Sequence, residues 1–341
     1  MDPSSRSPRI ALAPRSAKFN RFTGLFGDAL ERCGANVVAY KPWLADIAQQ
    51  DIVLYHWPHR LFEGEGFLHR LKTLTRLLMA RWRRNTRIVW VAHNVTQHEG
   101  NADPSLMERL LVRNLDGIVY LSETSRNLVH STYSTAGGIV ELVTVHGAYE
   151  SEPPQPFLPP GAREPVRLLN FGLVRPYKNL DDLVRAAGQL DAATAEVTIC
   201  GRRHDREYAR TLDRAAAGLD SVRMALSDDI VPDKDLDRAI DASHGVVLPY
   251  RDILHSGAAI HALSRGRPVL VPAIGAMPEL AELMGDRWVQ LYADELTVDV
   301  LDGFARHART IPASAVPDLE QLSWQRVERD LSGFLARLMA V

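Results

Sequence analysis

Short apolar runs alternate with stretches of helical periodicity along most of the 341-residue chain. The apolar runs are continuous, which is typical of parallel strands that are covered on both faces. In the first half they predict strands at 9–14, 37–40, 52–55, 88–92, 118–121 and 142–145. In the second half they predict strands at 166–171, 196–200, 222–226, 245–248, 268–271 and 288–292. Strands separated by helices indicate an α/β fold with parallel sheets and right-handed crossovers.

A proline-rich segment separates the two halves, because residues 150–165 contain six prolines. Such a composition predicts an extended linker. We therefore expect a first domain over 1–150, a linker over 151–165 and a second domain over 166–316, with a C-terminal helix in 317–341 that packs back towards the first domain. The predicted architecture is two Rossmann-like parallel-sheet domains facing each other across a cleft. Ligands of such sheets bind at the carboxyl ends of the strands.

Charge and composition exclude several classes of protein. The formal net charge is −2, and neither half is strongly basic: residues 1–150 contain 18 Lys and Arg against 14 Asp and Glu. Nucleic-acid binding is therefore not expected. The first residues lack the apolar core of a secretory signal, and no apolar run is long enough to span a bilayer. Cys33 and Cys200 lie in different halves and suggest structural thiols in a reducing compartment, so we expect a cytoplasmic protein.

The first strand of the second domain leads into a group of residues suited to an anion. Gly172 allows a ligand to approach the backbone, Arg175 and Lys178 supply positive charge, and Asn179 is expected to cap the next helix. Two cations ahead of a helix N-terminus are suited to a diphosphate, which the helix dipole also favours. We expect Arg175 and Lys178 to stabilise a leaving diphosphate.

Two further strand ends point to the same chemistry. Ser256 is predicted to cap a helix that begins at Gly257, and residues four apart share a helix face, which puts His261 below Gly257. The remaining residues expected to bind the ligand also follow a strand or open this helix: Gly201, Arg202, Tyr250 and His255. Together they predict a site for an anionic ligand of nucleotide size.

The segments GLVRPYKNLDDLVRAA, VTICG, VPDKDLDRAI and VVLPYRDILHSGAAIHALSRGRPVLVP resemble the donor domain of GT-B glycosyltransferases. In the retaining branch of that fold family, two glutamates lie eight positions apart around the serine-glycine region. The corresponding positions here are Ile253 and His261. The resemblance therefore implies that this chain does not use retaining chemistry, and that His261 takes the ribose-contacting position.

Further segments resemble the GDP-mannose:glycolipid β-mannosyltransferases of xanthan-type polysaccharide assembly. They are HWPHRL at 56–61, VAHNVTQHE at 91–99, FGLVRPYK at 171–178 and LHSGA at 254–258. The resemblance implies an inverting enzyme that moves mannose from GDP-mannose to a polyprenyl-diphosphate-linked oligosaccharide, with the nucleotide sugar as co-substrate and no cofactor. The residues of the first domain expected to bind the acceptor are Asn20, Gly24, His56 and Trp57.

Inversion requires one base to deprotonate the acceptor hydroxyl. The first domain offers the following groups: His56, His59, His93, His98, Glu99 and Asp103. His93 directly follows a strand, and Glu99, in the loop beyond, ranks ahead of His98 because a partly desolvated carboxylate can have a usefully raised pKa. No Asp-x-Asp motif follows a strand, so we expect metal-independent chemistry. The other hypotheses are a UDP-sugar transferase using glucuronate or glucose, a nucleotide-sugar epimerase of the same fold, and an inactive binding subunit.

One helix of the first domain is strongly basic. Residues 70–87 contain seven Lys and Arg and no acid. Apolar residues at helical spacing are expected to pack on the domain's own sheet, with the cations outside: Leu68, Leu71, Leu74, Leu77, Leu78 and Trp82. Cations at that position predict reversible attachment to an anionic surface, the inner face of the cytoplasmic membrane.

Overall fold

The computed structural model describes residues 7–17, 20–57, 66–94, 104–135, 137–149 and 154–340. Two compact units are present. Unit 1 consists of Met1–Gly147 together with Glu320–Val341, and unit 2 consists of Ala148–Leu319. Each is a parallel sheet flanked by helices, so the predicted fold class is confirmed.

The sheet of unit 1 has six parallel strands within the described residues, in the order β2-β1-β3-β4-β5-β6. The strands are β1 (Arg9–Ala13), β2 (Asn36–Ala39), β3 (Ile52–Tyr55), β4 (Arg87–Ala92), β5 (Gly117–Tyr120) and β6 (Val140–Val143). The helices are α1 (Arg21–Arg32), α2 (Leu44–Ile47), α3 (Phe67–Arg84), α4 (Leu106–Val112) and α5 (Glu123–Thr132). Strands β3 and β5 are buried along their whole length, which explains their continuous apolar sequences.

The sheet of unit 2 also has six parallel strands among the described residues. Its strands are β7 (Val166–Leu173), β8 (Ala195–Arg202), β9 (Val222–Ser227), β10 (Gly245–Val247), β11 (Val269–Pro272) and β12 (Val289–Tyr292), in the order β12-β11-β10-β7-β8-β9. The helices are α6 (Leu180–Ala187), α7 (Arg206–Ala216), α8 (Asp233–Asp241), α9 (Gly257–Ser264), α10 (Met277–Met284) and α11 (Val298–Thr310). Strands β10, β7 and β8 are therefore neighbours, and their carboxyl ends share one edge.

The last helix, α12 (Trp324–Ala340), belongs to unit 1. It packs against β6 and α1, and Thr144 donates a hydrogen bond to Asp330 at 2.8 Å. Two glycines make room for its aromatic side chains. A Cβ at Gly117 would lie 2.7 Å from Phe334, and one at Gly147 would lie 2.5 Å from Trp324.

The predicted linker is packed over the part that the structure describes. Phe157 is fully buried in unit 2, and its backbone exchanges hydrogen bonds with Ser314 and Ala315 at 2.8–2.9 Å. Residues 154–165 form no helix or strand, and the buried Phe157 fixes this segment to its own domain. Residues 151–153 of the predicted linker lie outside the described residues.

The prediction for the apolar stripe of α3 is wrong in part. Leu74 and Leu77 are buried, whereas Leu68, Leu71 and Trp82 are 69%, 41% and 68% exposed. The helix turns by about 100° per residue, so the six residues are too widely spread to occupy one face. Among the described residues, no helix is both long enough and apolar enough to cross a membrane.

Candidate active site

The carboxyl ends of β7 and β8 approach each other closely in unit 2. Gly201 has φ +154°, and a Cβ there would lie 1.8 Å from the carbonyl oxygen of Gly172. Gly172 has φ +114°, and a Cβ there would lie 2.7 Å from Lys178 Nζ. Both positions therefore require glycine, and they bring two predicted glycines and one predicted cation to the same point.

Lys178 is buried at this point. Its Nζ donates a hydrogen bond to the Phe171 carbonyl at 3.3 Å, and none of the described carboxylates pairs with it. Burial, and secondarily the positive charge of Arg175, lower the pKa of Lys178 to about 8. A buried ammonium without a counter-ion is costly, which is the arrangement expected where an anionic ligand supplies the missing charge.

Arg175 lies beside Lys178 and is half-buried. Its Nη2 donates to His204 Nε2 at 2.9 Å, and its Nε is buried without a hydrogen-bond partner among the described residues. The prediction that Asn179 caps α6 with its side chain is wrong. Asn179 adopts a left-handed conformation with φ +56°, and its buried Oδ1 accepts no hydrogen bond from the described residues.

The end of β10 contributes a second group of residues. Ser256 accepts a hydrogen bond from the Ala259 N–H at 3.1 Å, which confirms the predicted N-cap of α9. Tyr250 is buried and its hydroxyl lies 2.9 Å from Ser256 Oγ. Its ring stacks with that of Tyr177 at 6.3 Å, and Tyr177 directly precedes Lys178. Tyr177 therefore connects the residues after β7 with those after β10. The sequence analysis did not include it, and its aromatic ring between two cations was the feature that could have indicated it.

His261 lies in α9, as predicted, and is almost buried. Its Nε2 is 2.7 Å from Asp237 Oδ1 in α8, and its ring meets those of Tyr149 and Phe171 edge-on. Asp233, Asp235 and Asp237 alternate along the sequence, which is typical of a solvated acidic face, but Asp237 does not follow this pattern. The alternation of acidic residues along α8 does not indicate that Asp237 contacts His261 of α9.

The remaining predicted residues of unit 2 lie around these groups. Arg202 is half-buried and donates to the Asp228 carbonyl at 3.2 Å. His255 and Gly257, on either side of Ser256, are both half-buried at the start of α9. Ile253, at the position of the first glutamate of retaining enzymes, is buried.

In unit 1, the ends of β3 and β4 bring two histidines together. His56 Nδ1 lies 2.6 Å from His93 Nε2. His56 is 0% exposed and burial lowers its pKa to about 3, whereas His93 is 7% exposed. Because His56 is enclosed, its side chain does not reach the surface where the sequence placed it against an acceptor.

Of the other predicted acceptor residues, Trp57 contacts this pair, whereas Asn20 and Gly24 are at the start of α1. Asn20 caps α1 by accepting a hydrogen bond from the Phe22 N–H at 3.0 Å, and Trp57 stacks on His93 at 5.6 Å. Gly24 lies in α1, with open space around the position of a Cβ. A pocket of about 460 Å³ opens beside Trp57, between the carboxyl ends of β1, β2 and β3, and Tyr40 and Tyr55 line it.

Several predicted residues lie outside the described residues. They are the two proposed bases, Glu99 and His98, and the further candidates His59 and Asp103. Among the residues that the structure describes, no group of three or more His, Cys, Asp or Glu side chains is arranged to hold a metal ion.

Comparisons with known proteins agree with this geometry. Residues 165–303 match the family described as "Glycosyl transferases group 1". Two GDP-mannose:glycolipid 4-beta-D-mannosyltransferases of Xanthomonas campestris pv. campestris are 30% and 29% identical over 334 residues, which cover 92% of this chain and 91% of each relative.

Solved structures show the same fold at low identity. The sucrose-phosphate synthase of Thermosynechococcus elongatus superposes with a TM-score of 0.69 at 13% identity, covering 98% of this chain and all of that one. The Anabaena protein HepE, solved with UDP, superposes with a TM-score of 0.67 at 13% identity, covering 96% and 99% of the two chains. The chain is therefore a glycosyltransferase of the GT-B fold and belongs to the family of the GDP-mannose:glycolipid 4-beta-D-mannosyltransferases.

Proposed function

We propose that the protein transfers mannose from GDP-mannose, with inversion, to a polyprenyl-diphosphate-linked oligosaccharide in exopolysaccharide assembly. The observation that supports this most strongly is the buried Lys178 beside the half-buried Arg175, a pair that has no described carboxylate as a partner. The diphosphate of a nucleotide sugar supplies the missing negative charge. The printed activity of the two Xanthomonas relatives supports GDP-mannose as the donor.

Inversion is supported by the absence of a carboxylate at the first-glutamate position. Ile253 offers no nucleophile, and His261 is already engaged with Asp237. We propose that Glu99 deprotonates the acceptor hydroxyl, and that transfer needs no metal ion because Lys178 and Arg175 stabilise the leaving diphosphate. Loss of transfer in Glu99→Gln, with His98→Gln nearly active, supports this base. The reverse result assigns the role to His98.

Attachment to an anionic membrane surface is the second part of the proposal. Leu68, Leu71 and Trp82 form an exposed apolar line on α3. Lys72, Arg76 and Arg83 lie beside that line on the helix surface, because positions four apart along a helix are neighbours. Apolar residues flanked by cations are typical of helices that lie at a bilayer interface.

A neighbouring aromatic residue extends this surface. Trp43, just before α2, is 62% exposed, and the guanidinium of Arg76 lies 5.4 Å from the centre of its ring. Exposed Trp beside Arg is suited to the headgroup region, and each cation near an anionic leaflet contributes about 1 kcal/mol. A lipid-linked acceptor stays at that interface, so attachment brings the enzyme to its substrate.

The donor proposal is tested by thermal stabilisation with GDP-mannose, GDP, UDP-glucose and UDP-glucuronate. A ligand that binds the folded state raises the melting temperature by mass action. We expect GDP-mannose and GDP to stabilise the protein, and we expect Arg175→Ala to lose the effect while Arg210→Ala, an exposed arginine of α7, keeps it. Stabilisation by the uridine compounds alone would point to the UDP-sugar transferase.

Transfer itself is tested with labelled GDP-mannose and a set of polyprenyl-diphosphate oligosaccharides. Label in the lipid fraction supports the proposed reaction. Conversion of the nucleotide sugar without any lipid acceptor would point to the epimerase-like enzyme. Binding with no conversion at all would point to an inactive binding subunit.

A further inference from the structure

An ion pair in unit 2 connects the first turn of α6 with the loop between β10 and α9. Arg251 Nη2 donates a hydrogen bond to Asp181 Oδ2 at 2.7 Å, and Asp182 Oδ2 lies 3.5 Å from the same nitrogen. The other carboxylate oxygen of Asp181 accepts a hydrogen bond from the Tyr208 hydroxyl of α7 at 2.6 Å. Burial alone would raise the pKa of Asp181, but the hydrogen bonds from Tyr208 and Arg251 outweigh it and lower that pKa. Asp181 is therefore a charged bridge between α7 and the loop.

The same loop also contacts the segment that follows β7. The backbone N–H of Arg251 donates to the Tyr177 carbonyl at 2.9 Å, and Tyr177 directly precedes Lys178. Tyr250 directly precedes Arg251, and its hydroxyl lies 2.9 Å from Oγ of Ser256, the N-cap of α9. The ion pair thus lies where the segment that carries Lys178 meets the segment that opens α9.

Stability does not account for this ion pair. The side chains of Arg251 and Asp181 are 53% and 41% exposed, and ion pairs at such exposure contribute little to the free energy of unfolding. Charge does not account for it either. Asp181 lies three residues after Lys178, and a carboxylate near a diphosphate site repels the ligand. What the hydrogen bonds of Asp181 do supply is a fixed geometry between two loops.

We propose that Asp181 is a positioning residue that holds the β10–α9 loop, through Arg251, in register with Lys178 for binding a nucleoside diphosphate. Asp181 acts through Arg251 and not by contact with the nucleotide. The cations after β7 and the N–H groups at the start of α9 are then in place before the ligand arrives, so less affinity is lost in ordering the loop. The contact is a property of unit 2 alone, and its effect on the ligand rests on the proposed function.

Two neighbouring carboxylates separate positioning from charge. Asp181→Ala and Asp182→Ala each remove one negative charge from the same helical turn, but Asp182 pairs with Arg185. Calorimetry measures the affinity of the full chain for GDP. Charge alone predicts tighter binding in both variants. We expect Asp181→Ala to bind GDP about tenfold more weakly with a nearly unchanged melting temperature, and Asp182→Ala to bind at least as tightly as the unaltered protein. Unchanged or tighter binding in Asp181→Ala, or equal losses in both variants, overturns the proposal.

The double variant tests whether Asp181 acts through Arg251. Residues that act through one shared contact have non-additive effects. We expect Asp181→Ala to change the affinity for GDP little once Arg251→Ala is present. If charge governs binding, the two substitutions offset each other and the double variant binds like the unaltered protein. If the residues act independently, their losses multiply. Either result overturns the proposal.

Hydrogen exchange of the ligand-free chain keeps this test separate from the proposed function. Mass spectrometry follows the peptides that cover residues 249–256. We expect them to exchange faster in Asp181→Ala than in Asp182→Ala or the unaltered protein. Unchanged exchange overturns the positioning role. Faster exchange in a protein that no nucleoside diphosphate stabilises supports the contact and contradicts the proposed function instead.

Discussion

At the scale of one residue, Lys178 is a buried charge that a fold optimised for stability alone would not be expected to contain. Its ammonium group is buried beside a second cation and receives one carbonyl contact at 3.3 Å. A fold selected for stability alone has no reason to keep a charge in such a place. In the proposed site a bound anion offsets this cost, so we expect stability and binding to make opposite demands on this residue.

Replacing Lys178 by methionine separates these two demands. Without ligand, we expect Lys178→Met to unfold at a higher temperature and to gain about 1–3 kcal/mol, because the buried charge is removed. We expect the variant to lose stabilisation by GDP. The exposed Lys234 of α8 provides the control, since Lys234→Met should change neither quantity. A less stable Lys178→Met that still binds GDP would contradict the assignment.

The lowered pKa of Lys178 also predicts a pH dependence. The folded protein releases this proton near pH 8, and the unfolded chain near 10.5. Between these values the unfolded state binds more protons, so the stability of the ligand-free protein rises with pH relative to Lys178→Met. A bound diphosphate favours the charged form, so the affinity for GDP should fall as the pH rises above about 8. Calorimetry at pH 7 and 9.5 checks both signs, and a constant affinity would contradict the prediction.

At the residue scale, the sequence indicated which residue types to expect at the strand ends, but not how deeply each side chain is buried or what it contacts. Glycine followed by two cations predicts an anion site, since few other arrangements need that combination at a strand end, and the structure brings these residues together. The burial of Lys178 and the pairing of Asp237 with His261 were not predictable, because both depend on how separate elements meet. Single-residue chemistry is local, whereas solvation is set by the tertiary structure.

At the scale of elements, α3 has one buried and one exposed line of apolar residues. Leu74 and Leu77 face the core of unit 1, and the line of Leu68, Leu71 and Trp82 stays exposed. Periodicity alone cannot distinguish these lines, because both consist of apolar residues at helical spacing. The strands were predicted more accurately than this helix. A strand buried on both faces has no exposed face, so its apolar residues need not be divided between core and surface. The short helix α2 and the helix α10 were not predicted.

The exposed line of α3 predicts salt-sensitive binding to anionic vesicles. We expect Leu68→Glu and Trp82→Glu each to reduce co-sedimentation at least fivefold, by removing apolar contact and adding repulsion. Leu158→Glu in unit 2 is a matched control, because Leu158 is also 69% exposed. Binding should weaken at high salt, since the attraction is partly screened. Equal losses in all three variants, or binding to neutral and anionic vesicles alike, would contradict the prediction.

At the scale of the whole molecule, both units have a six-stranded parallel sheet among the described residues, but they differ in strand order and in the chemistry of their strand ends. Unit 2 offers cations and glycines, whereas unit 1 offers histidines and aromatic rings. The alternation of strands and helices was sufficient to predict two such sheets. The assignment of the last helix to unit 1 rests on contacts such as Phe334 against Gly117, which no local pattern reveals.

The product of the reaction tests the proposed mechanism as a whole. A single displacement on an α-linked nucleotide sugar gives a β-linked product, and we expect this outcome because Ile253 cannot act as a nucleophile. Proton and carbon NMR of the transferred residue at its anomeric centre decides the configuration. An α-linked product would show retention and would contradict the inverting mechanism.

The placement of α12 in unit 1 has a consequence for how the chain folds as it leaves the ribosome. Unit 2 is continuous from Ala148 to Leu319, so it can complete its contacts as soon as that stretch has emerged. Unit 1 is begun first, but Trp324 and Phe334 reach it only after unit 2 has been synthesised. N-terminal domains usually fold first, but here unit 1 can be completed only after unit 2. A nascent chain interrupted before residue 320 would hold a complete unit 2 joined to an incomplete unit 1, and we expect it to be a target for chaperones.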